Sequence, residues 1–188
     1  MRRIHELSFA IVLAVVTSVP GHAKFQPLAA GSAEQTTSVK GAGSLSGKVY
    51  ALGSRIRLEN DLSGHGLAAI MDLDSRQAWM LRPPPKGCVQ KPLSDKSKNP
   101  NPWPSPGSKE EKIGSESIDG RKTTKYRVIR MVDGEKVVSY VWRAPALNDW
   151  PVKVTNASGD FEIRYSKIDL TMPDPKLFEP PADCKAAD

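Results

Sequence analysis

The sequence predicts a mainly β protein: a single large curved antiparallel sheet, a half-open β-barrel with little helix. Three observations predict it. Short segments that alternate apolar and polar residues follow one another from residue 45 to residue 170, which is the period of a half-buried strand. Gly-Ser and Asp-Gly pairs stand between them where hairpin turns belong. No long stretch shows the helical period. The 188 residues fit one domain plus extras.

The extras come first. Met1-Arg2-Arg3 is basic, residues 7–19 are apolar except for Ser8, Thr17 and Ser18, and Gly21-His22-Ala23 supplies small residues at the cleavage positions. That order reads as a secretory signal over residues 1–23, cut after Ala23. A membrane anchor is the other reading, but the apolar run is about 13 residues and a spanning helix needs roughly 20. The remainder is then expected in the periplasm. Residues 24–43 are rich in Ala, Gly, Ser and Thr without a clear period and are expected to form a flexible lead-in. The β domain is expected over residues 44–185.

Residues 45–52 and 55–60 read as two strands joined by Gly53-Ser54, a tight hairpin connection. In the second, Ile56 and Leu58 alternate with Arg55, Arg57 and Glu59. Residues 61–66 read as a loop, 67–73 as a strand, Asp74-Ser75 as a turn and 76–82 as another strand. Pro83-Pro84-Pro85 ends it, because proline cannot donate to a ladder. Eight of the sixteen prolines lie in residues 83–106, so this segment is expected to be a long loop, a lid or binding loop if ordered. Trp103 is its one large aromatic, a packed anchor or a ligand contact.

Strands are expected again over 112–118, 122–132 and 136–144, with turns at Asp119-Gly120 and Asp133-Gly134. Two more are expected over 152–156 and 161–170. In the last, Phe161, Ile163 and Tyr165 share a face, and the apolar phase then moves to Ile168 and Leu170. A one-residue change of phase predicts a β-bulge near Ser166-Lys167. Residues 174–178 read as one helical turn before an extended tail.

The net charge is +6, and +5 once Arg2, Arg3 and Glu6 leave with the signal. A basic balance suits nucleic acid or an anionic membrane surface. An exported protein rarely meets nucleic acid, and the basic residues are dispersed along strands. They read as solvated faces, with peripheral membrane contact the lesser reading. The two cysteines, Cys88 and Cys184, are expected to form a disulfide, since the periplasm is oxidising. Metal or redox chemistry is the rival reading, but the pair lacks CxxC spacing and nearby histidines.

Catalysis is not expected. His65 is the one histidine left after the signal is removed, and it lies in the turn-like Ser63-Gly64-His65-Gly66. No GxSxG elbow appears. Asp72 and Asp74 share a strand face, which suits a solvated strand end better than a cation site. No metal-ligand cluster or phosphate-cradling glycine loop is present, so no metal or cofactor is expected.

What stands out is surplus hydrophobicity. Residues 68–73 and 137–142 are apolar on both faces of their strands, and such strands need cover on both sides. The sheet itself, the proline-rich loop or a ligand can supply it. With so little helix to act as a lid, the sequence predicts a groove for an apolar guest.

Four stretches carry a resemblance to a known family. They are Gly47-Lys48-Val49-Tyr50 with Arg55-Ile56-Arg57-Leu58-Glu59, the stretch 70–83, Val141-Trp142-Arg143 through Pro151-Val152-Lys153-Val154, and Asp174-Pro175-Lys176-Leu177-Phe178-Glu179-Pro180-Pro181. In order and spacing they resemble the periplasmic lipoprotein-carrier (LolA/LolB-like) superfamily, which also includes the sensor domain of RseB. The resemblance implies a half-barrel whose concave apolar face holds a lipid or a lipoprotein acyl chain. It departs in two places: no amphipathic helix opens the domain, and Leu52-Gly53-Ser54 stands where the carrier has a basic residue. The chain thus looks like a separate branch. The expected pocket residues are Ile56, Leu58, Ile70, Trp79, Leu81, Val128, Tyr140 and Trp142. The alternative role is an envelope-stress sensor or protein-interaction module of RseB type without a lipid cargo, with another envelope protein as partner.

Overall fold

The computed structural model describes residues 28–62, 65–82, 87–94, 97–103 and 107–186, without side-chain surroundings for residues 61, 62 and 65. The signal expected over 1–23 lies outside the described residues. Among them, no helix is long and apolar enough to cross a membrane.

Twelve strands form one curved sheet that does not close into a barrel. They are β1 (Leu28–Val39), β2 (Gly43–Gly53), β3 (Arg55–Leu62), β4 (His65–Asp72), β5 (Gln77–Leu81) and β6 (Cys88–Pro92), then β7 (Lys109–Ile118), β8 (Arg121–Val132), β9 (Glu135–Ala144), β10 (Trp150–Asn156), β11 (Phe161–Asp169) and β12 (Lys185–Ala186). Their spatial order is β12-β6-β5-β4-β3-β2-β1-β11-β10-β9-β8-β7. Neighbours run antiparallel except β12, whose short pairing with β6 is parallel. Two 3₁₀ turns, Pro145–Leu147 and Pro175–Phe178, are the helical elements described.

The turns follow local chemistry. Leu52 faces Arg55, which leaves Gly53-Ser54 as a two-residue loop with Gly53 at φ +60°. Asp119-Gly120 and Asp133-Gly134 each have both residues at positive φ, at +48° and +76° and at +49° and +81°. That is the type I′ geometry that Asp-Gly favours. On β11 three steps oppose two on β1 between Ser166 and Asp169, and Lys167 lies at φ +47°. This is the bulge the apolar phase predicts.

Three expectations need correction. The loop expected over 61–66 is strand at both ends, with Asp61 paired to Gly66 and Leu62 to His65. The lead-in expected over 24–43 is β1 from Leu28 onward, a central strand paired with both β2 and β11. Its small residues suit a crowded position: a Cβ on Gly31 would meet Asp169 O at 2.5 Å and the Trp150 ring at 3.0 Å. The loop expected over 83–106 contains β6, paired with β5 through Leu81↔Cys88 to Gln77↔Pro92. Pro92 ends that strand, so the connecting segment proper is residues 93–108.

That segment joins opposite ends of the sheet. β6 and β7 stand ten strand-to-strand steps apart, roughly 48 Å in a flat sheet at about 4.8 Å per step. Sixteen residues reach at most about 55 Å when fully extended. The sheet curls, so the span is shorter than this, and the described part of the segment lies over the inner face as a strap. Arg130 on β8 donates to the carbonyls of Ser97 at 3.3 Å and Asn99 at 2.7 Å. At the other end, Arg76 and Leu93 exchange hydrogen bonds at 2.9 and 3.4 Å.

One face of the sheet, here the inner face, carries the main core. Ala33, Val49, Ala51, Ile56, Val128, Val141, Val154, Ile163 and Tyr165 form one buried cluster with Trp103 of the strap and Trp150. Fully burying such side chains is worth about 1.5–3 kcal/mol each. On the outer face, the C-terminal tail covers β3 to β6. Arg57 donates to Leu177 O at 3.0 Å, Phe178 is buried, and Cys184 is bonded to Cys88.

Candidate functional site

Strand parity decides which side chains can share a site. β3 pairs with β4 as Ile56↔Met71 and Leu58↔Ala69, and with β2 as Val49↔Leu58 and Ala51↔Ile56. Ile56, Leu58 and Met71 therefore face inward with Val49 and Ala51. Ile70 pairs with Arg57 and Trp79, and Leu81 with Ala68, so Ile70, Trp79 and Leu81 face outward. On β9, Ser139 opposite Val128 and Val141 opposite Tyr126 face inward, and Tyr140 and Trp142 face outward.

The eight expected pocket residues thus divide between two faces. Ile56, Leu58 and Val128 belong to the inner core or pack against it. Ile70, Trp79, Leu81, Tyr140 and Trp142 do not share that wall. The physical reason is that β4 and β9 are apolar on both faces, so composition does not reveal parity. Trp142 forms a second cluster with Ala144 and Val152. There Glu116 accepts from Trp142 Nε1, and Lys125 and Lys153 lie 4.6 and 5.0 Å from the ring. The Trp142 hydrogen bond, helped by Lys125, holds the Glu116 carboxyl below its ordinary range.

The inner face keeps two hollows under the strap. The larger, about 350 Å³, is lined by Ile56, Leu58, Met71, Leu73, Ile163 and Tyr165 below and by Leu93, Ser94, Ser97 and residues 99–103 above, with Arg130 at its far side. β4 and β8 stand seven steps apart, roughly 34 Å in a flat sheet, so a shared hollow of this size requires the sheet to curl toward this face. The volume lies within the range of small-molecule sites, about 300–1,000 Å³. Tyr165 is buried, and burial pushes its phenol well above the ordinary range.

The smaller hollow, about 200 Å³, lies on the other side of Trp103. Pro102 and Trp103 border both. Its wall includes Tyr126, Arg143, Asn148, Asp149 and Trp150. Arg143 makes a bidentate pair with Glu110 at 2.6 and 2.8 Å and stands 5.0 Å over the Tyr126 ring. Burial works against its charge, but the hydrogen bonds it donates to Glu110 outweigh this and hold the guanidinium pKa above its ordinary value. Trp103 is only 8% exposed and packs against Trp150 and Tyr165, the anchoring role the sequence suggests. Strand pattern alone missed Met71, Leu73, Tyr165 and Trp150. The shared face of Phe161, Ile163 and Tyr165 was the signal for one of them.

The remaining chemistry-bearing residues are structural. Asp72 accepts from the backbone of Asp74 at 3.0 Å and of Ser75 at 3.1 Å, which closes the β4–β5 turn. Among the described residues no group of three or more His, Cys, Asp or Glu is placed to hold a metal. The expected disulfide between Cys88 and Cys184 is present and links residues 96 positions apart.

No protein-family model matches the sequence, and no curated protein matches it. Solved structures do. An uncharacterised conserved protein from Thermus thermophilus is similar at a TM-score of 0.55 and 14% identity, over 85% of this chain and 91% of that one. That likeness is one of fold. A domain from Vibrio parahaemolyticus, described as an outer membrane lipoprotein-sorting protein, matches at 0.44 and 14% identity over 79% and 88% of the two chains. The Mycobacterium tuberculosis lipoprotein LppX matches at 0.40 and 15% identity over 74% and 87%.

Proposed function

We propose that this chain is an envelope binding protein, not an enzyme, that holds a lipid or a lipoprotein acyl chain against the inner face of its curved sheet. The observation that carries the reading is the hollow bounded by Ile56, Leu58, Met71, Leu73 and Ile163 and roofed by the strap. An apolar cavity with only part of its wall filled favours an apolar guest, because each buried methylene is worth about 0.8 kcal/mol. The strap supplies the cover that a helical lid gives elsewhere. The periplasm is the proposed compartment, in keeping with the basic, apolar and small-residue order of residues 1–23 and with a disulfide that closes a long loop.

Native mass spectrometry of protein purified without detergent tests this, with titration of a fluorescent fatty acid alongside. Co-purifying lipid or saturable micromolar binding supports the proposal. Repeated absence of both rejects it.

The protein-interaction alternative has one observation in its favour: β7 is an edge strand of ten residues, nine of them exposed. Open edges pair with extended peptides. Its Lys109, Glu110, Glu111 and Lys112 and the bulge between Lys112 and Gly114 are devices that discourage such pairing, so the cavity reading is preferred. Pull-down with Lys112→Pro, which places a proline in β7, separates the two. Loss of a protein partner with acyl binding intact favours the module.

A further inference from the structure

The two hollows beside Trp103 differ in chemistry, and the smaller one holds polar groups the core does not need. The Nε1 of Trp150 is buried and has no hydrogen-bond partner, in a residue only 1% exposed. An orphaned buried donor costs about 1–3 kcal/mol and calls for an explanation. Asn148 and Asp149, next to it in the chain and in the same wall, both adopt the left-handed conformation at φ +51° and +58°. Asn and Asp tolerate this conformation, and here they turn the chain from Pro145–Leu147 into β10. Arg143 is already matched by the bidentate Glu110, and Asp149 adds a second negative charge near it. Lys112, opposite Tyr126, is exposed and outside the wall. Among the described residues, the wall therefore offers donors but no unbalanced positive charge.

Resting on the acyl-binding reading above, we propose that the smaller hollow is a head-group subsite for an uncharged, acceptor-bearing amphiphile of the glyceryl ester type. Its hydrocarbon chain passes Trp103 into the larger hollow. Once a shift of the Trp103 ring uncovers it, the buried Trp150 Nε1–H donates to the head group's carbonyl or hydroxyl oxygen. Pro102 and Trp103 border both hollows, so a shift of the Trp103 ring joins them into one site, apolar at the Ile56–Leu58 end and polar at the Arg143–Trp150 end. An anionic head is disfavoured, because Glu110 and Asp149 outnumber Arg143 and a carboxylate would enter a site without a positive charge to balance it.

Titration calorimetry at pH 8 with monopalmitoylglycerol and with palmitate tests this, since the two probes share a chain and differ in head. Monopalmitoylglycerol is expected to bind at least about tenfold more tightly, which corresponds to about 1.4 kcal/mol. Trp150→Phe, which keeps a ring but removes the N–H, is expected to lower that ratio about fivefold. Glu110→Gln is expected to lower it too, by strengthening palmitate, and carries the test if Trp150→Phe does not fold. Palmitate binding equally well or better, or a ratio that neither substitution moves, overturns the subsite and leaves the acyl-binding reading standing. Failure of both probes to bind overturns both.

Discussion

Trp103 of the strap meets Trp150 of β10 edge to face, with ring centroids 5.7 Å apart and planes at 87°. This pair fastens the strap to an otherwise open sheet and divides the space beneath it. Such pairs add about 0.5–1.5 kcal/mol beyond area burial. Trp103→Ala is expected to lower stability by about 3 kcal/mol, the lower end for a buried aromatic truncated to alanine. Urea denaturation followed by circular dichroism measures it. A loss under about 1 kcal/mol would mean that the strap is held elsewhere, by Arg130 and Arg76.

The division of apolar residues between two faces gives a second expectation. Leu58→Trp puts bulk into the larger hollow and is expected to weaken fatty-acid binding about tenfold or more. Trp79→Ala, on the outer face, is expected to change it less than twofold. Fluorescent fatty-acid titration of the two variants compares them directly. The opposite ranking would place the ligand on the outer face.

The disulfide ties the tail to β6 on the face away from the hollows. In the chain-entropy model, closing a loop of this length is worth about 4–5 kcal/mol. The double variant Cys88→Ser and Cys184→Ser is expected to lose much of that in denaturant unfolding. Acyl affinity, measured well below the unfolding midpoint, should remain. Loss of binding in a folded variant would tie the outer tail to the site.

Glu162 links acid stability to the sheet. Burial alone would raise its carboxyl pKa, but Arg164 at 2.6 Å and Lys153 at 3.1 Å lower it below the ordinary 4.5. Arg164 also meets Asp119 at 3.4 Å. A folded-state value below the unfolded one stabilises the protein above about pH 4.5 and loses that effect as pH falls through the folded value. The wild type should therefore lose more stability than Glu162→Gln between pH 6 and pH 3. Parallel losses in thermal melts would show that this carboxylate is not linked to folding.

Much of the fold is readable from local chemistry. The alternation of Ile56 and Leu58 with arginines, the Asp-Gly pairs and the phase change after Tyr165 each act over a few residues, and each produced the element it predicts. β1 was hidden because a strand paired on both sides, and crowded by Trp150 at Gly31, favours small residues that carry no period. β6 was hidden among prolines. The site was harder to read. Whether Ile70 or Met71 faces the hollow depends on register against Ile56 and Arg57, a relation between strands that neither segment encodes alone. Trp103 reaches its partners across a strap whose path depends on where β6 and β7 stand in the finished sheet.

The four tryptophans allow the most direct test of inner-face binding, because Trp103 and Trp150 belong to the inner core, whereas Trp79 and Trp142 face outward. The double variant Trp79→Phe and Trp142→Phe leaves the inner pair as the only tryptophans, read by selective tryptophan excitation. Titration with a fatty acid brominated along its chain is predicted to quench that fluorescence saturably, at the same midpoint as in the wild type. Undiminished emission from the inner pair, alongside quenching in the reciprocal variant Trp103→Phe and Trp150→Phe, would contradict the account.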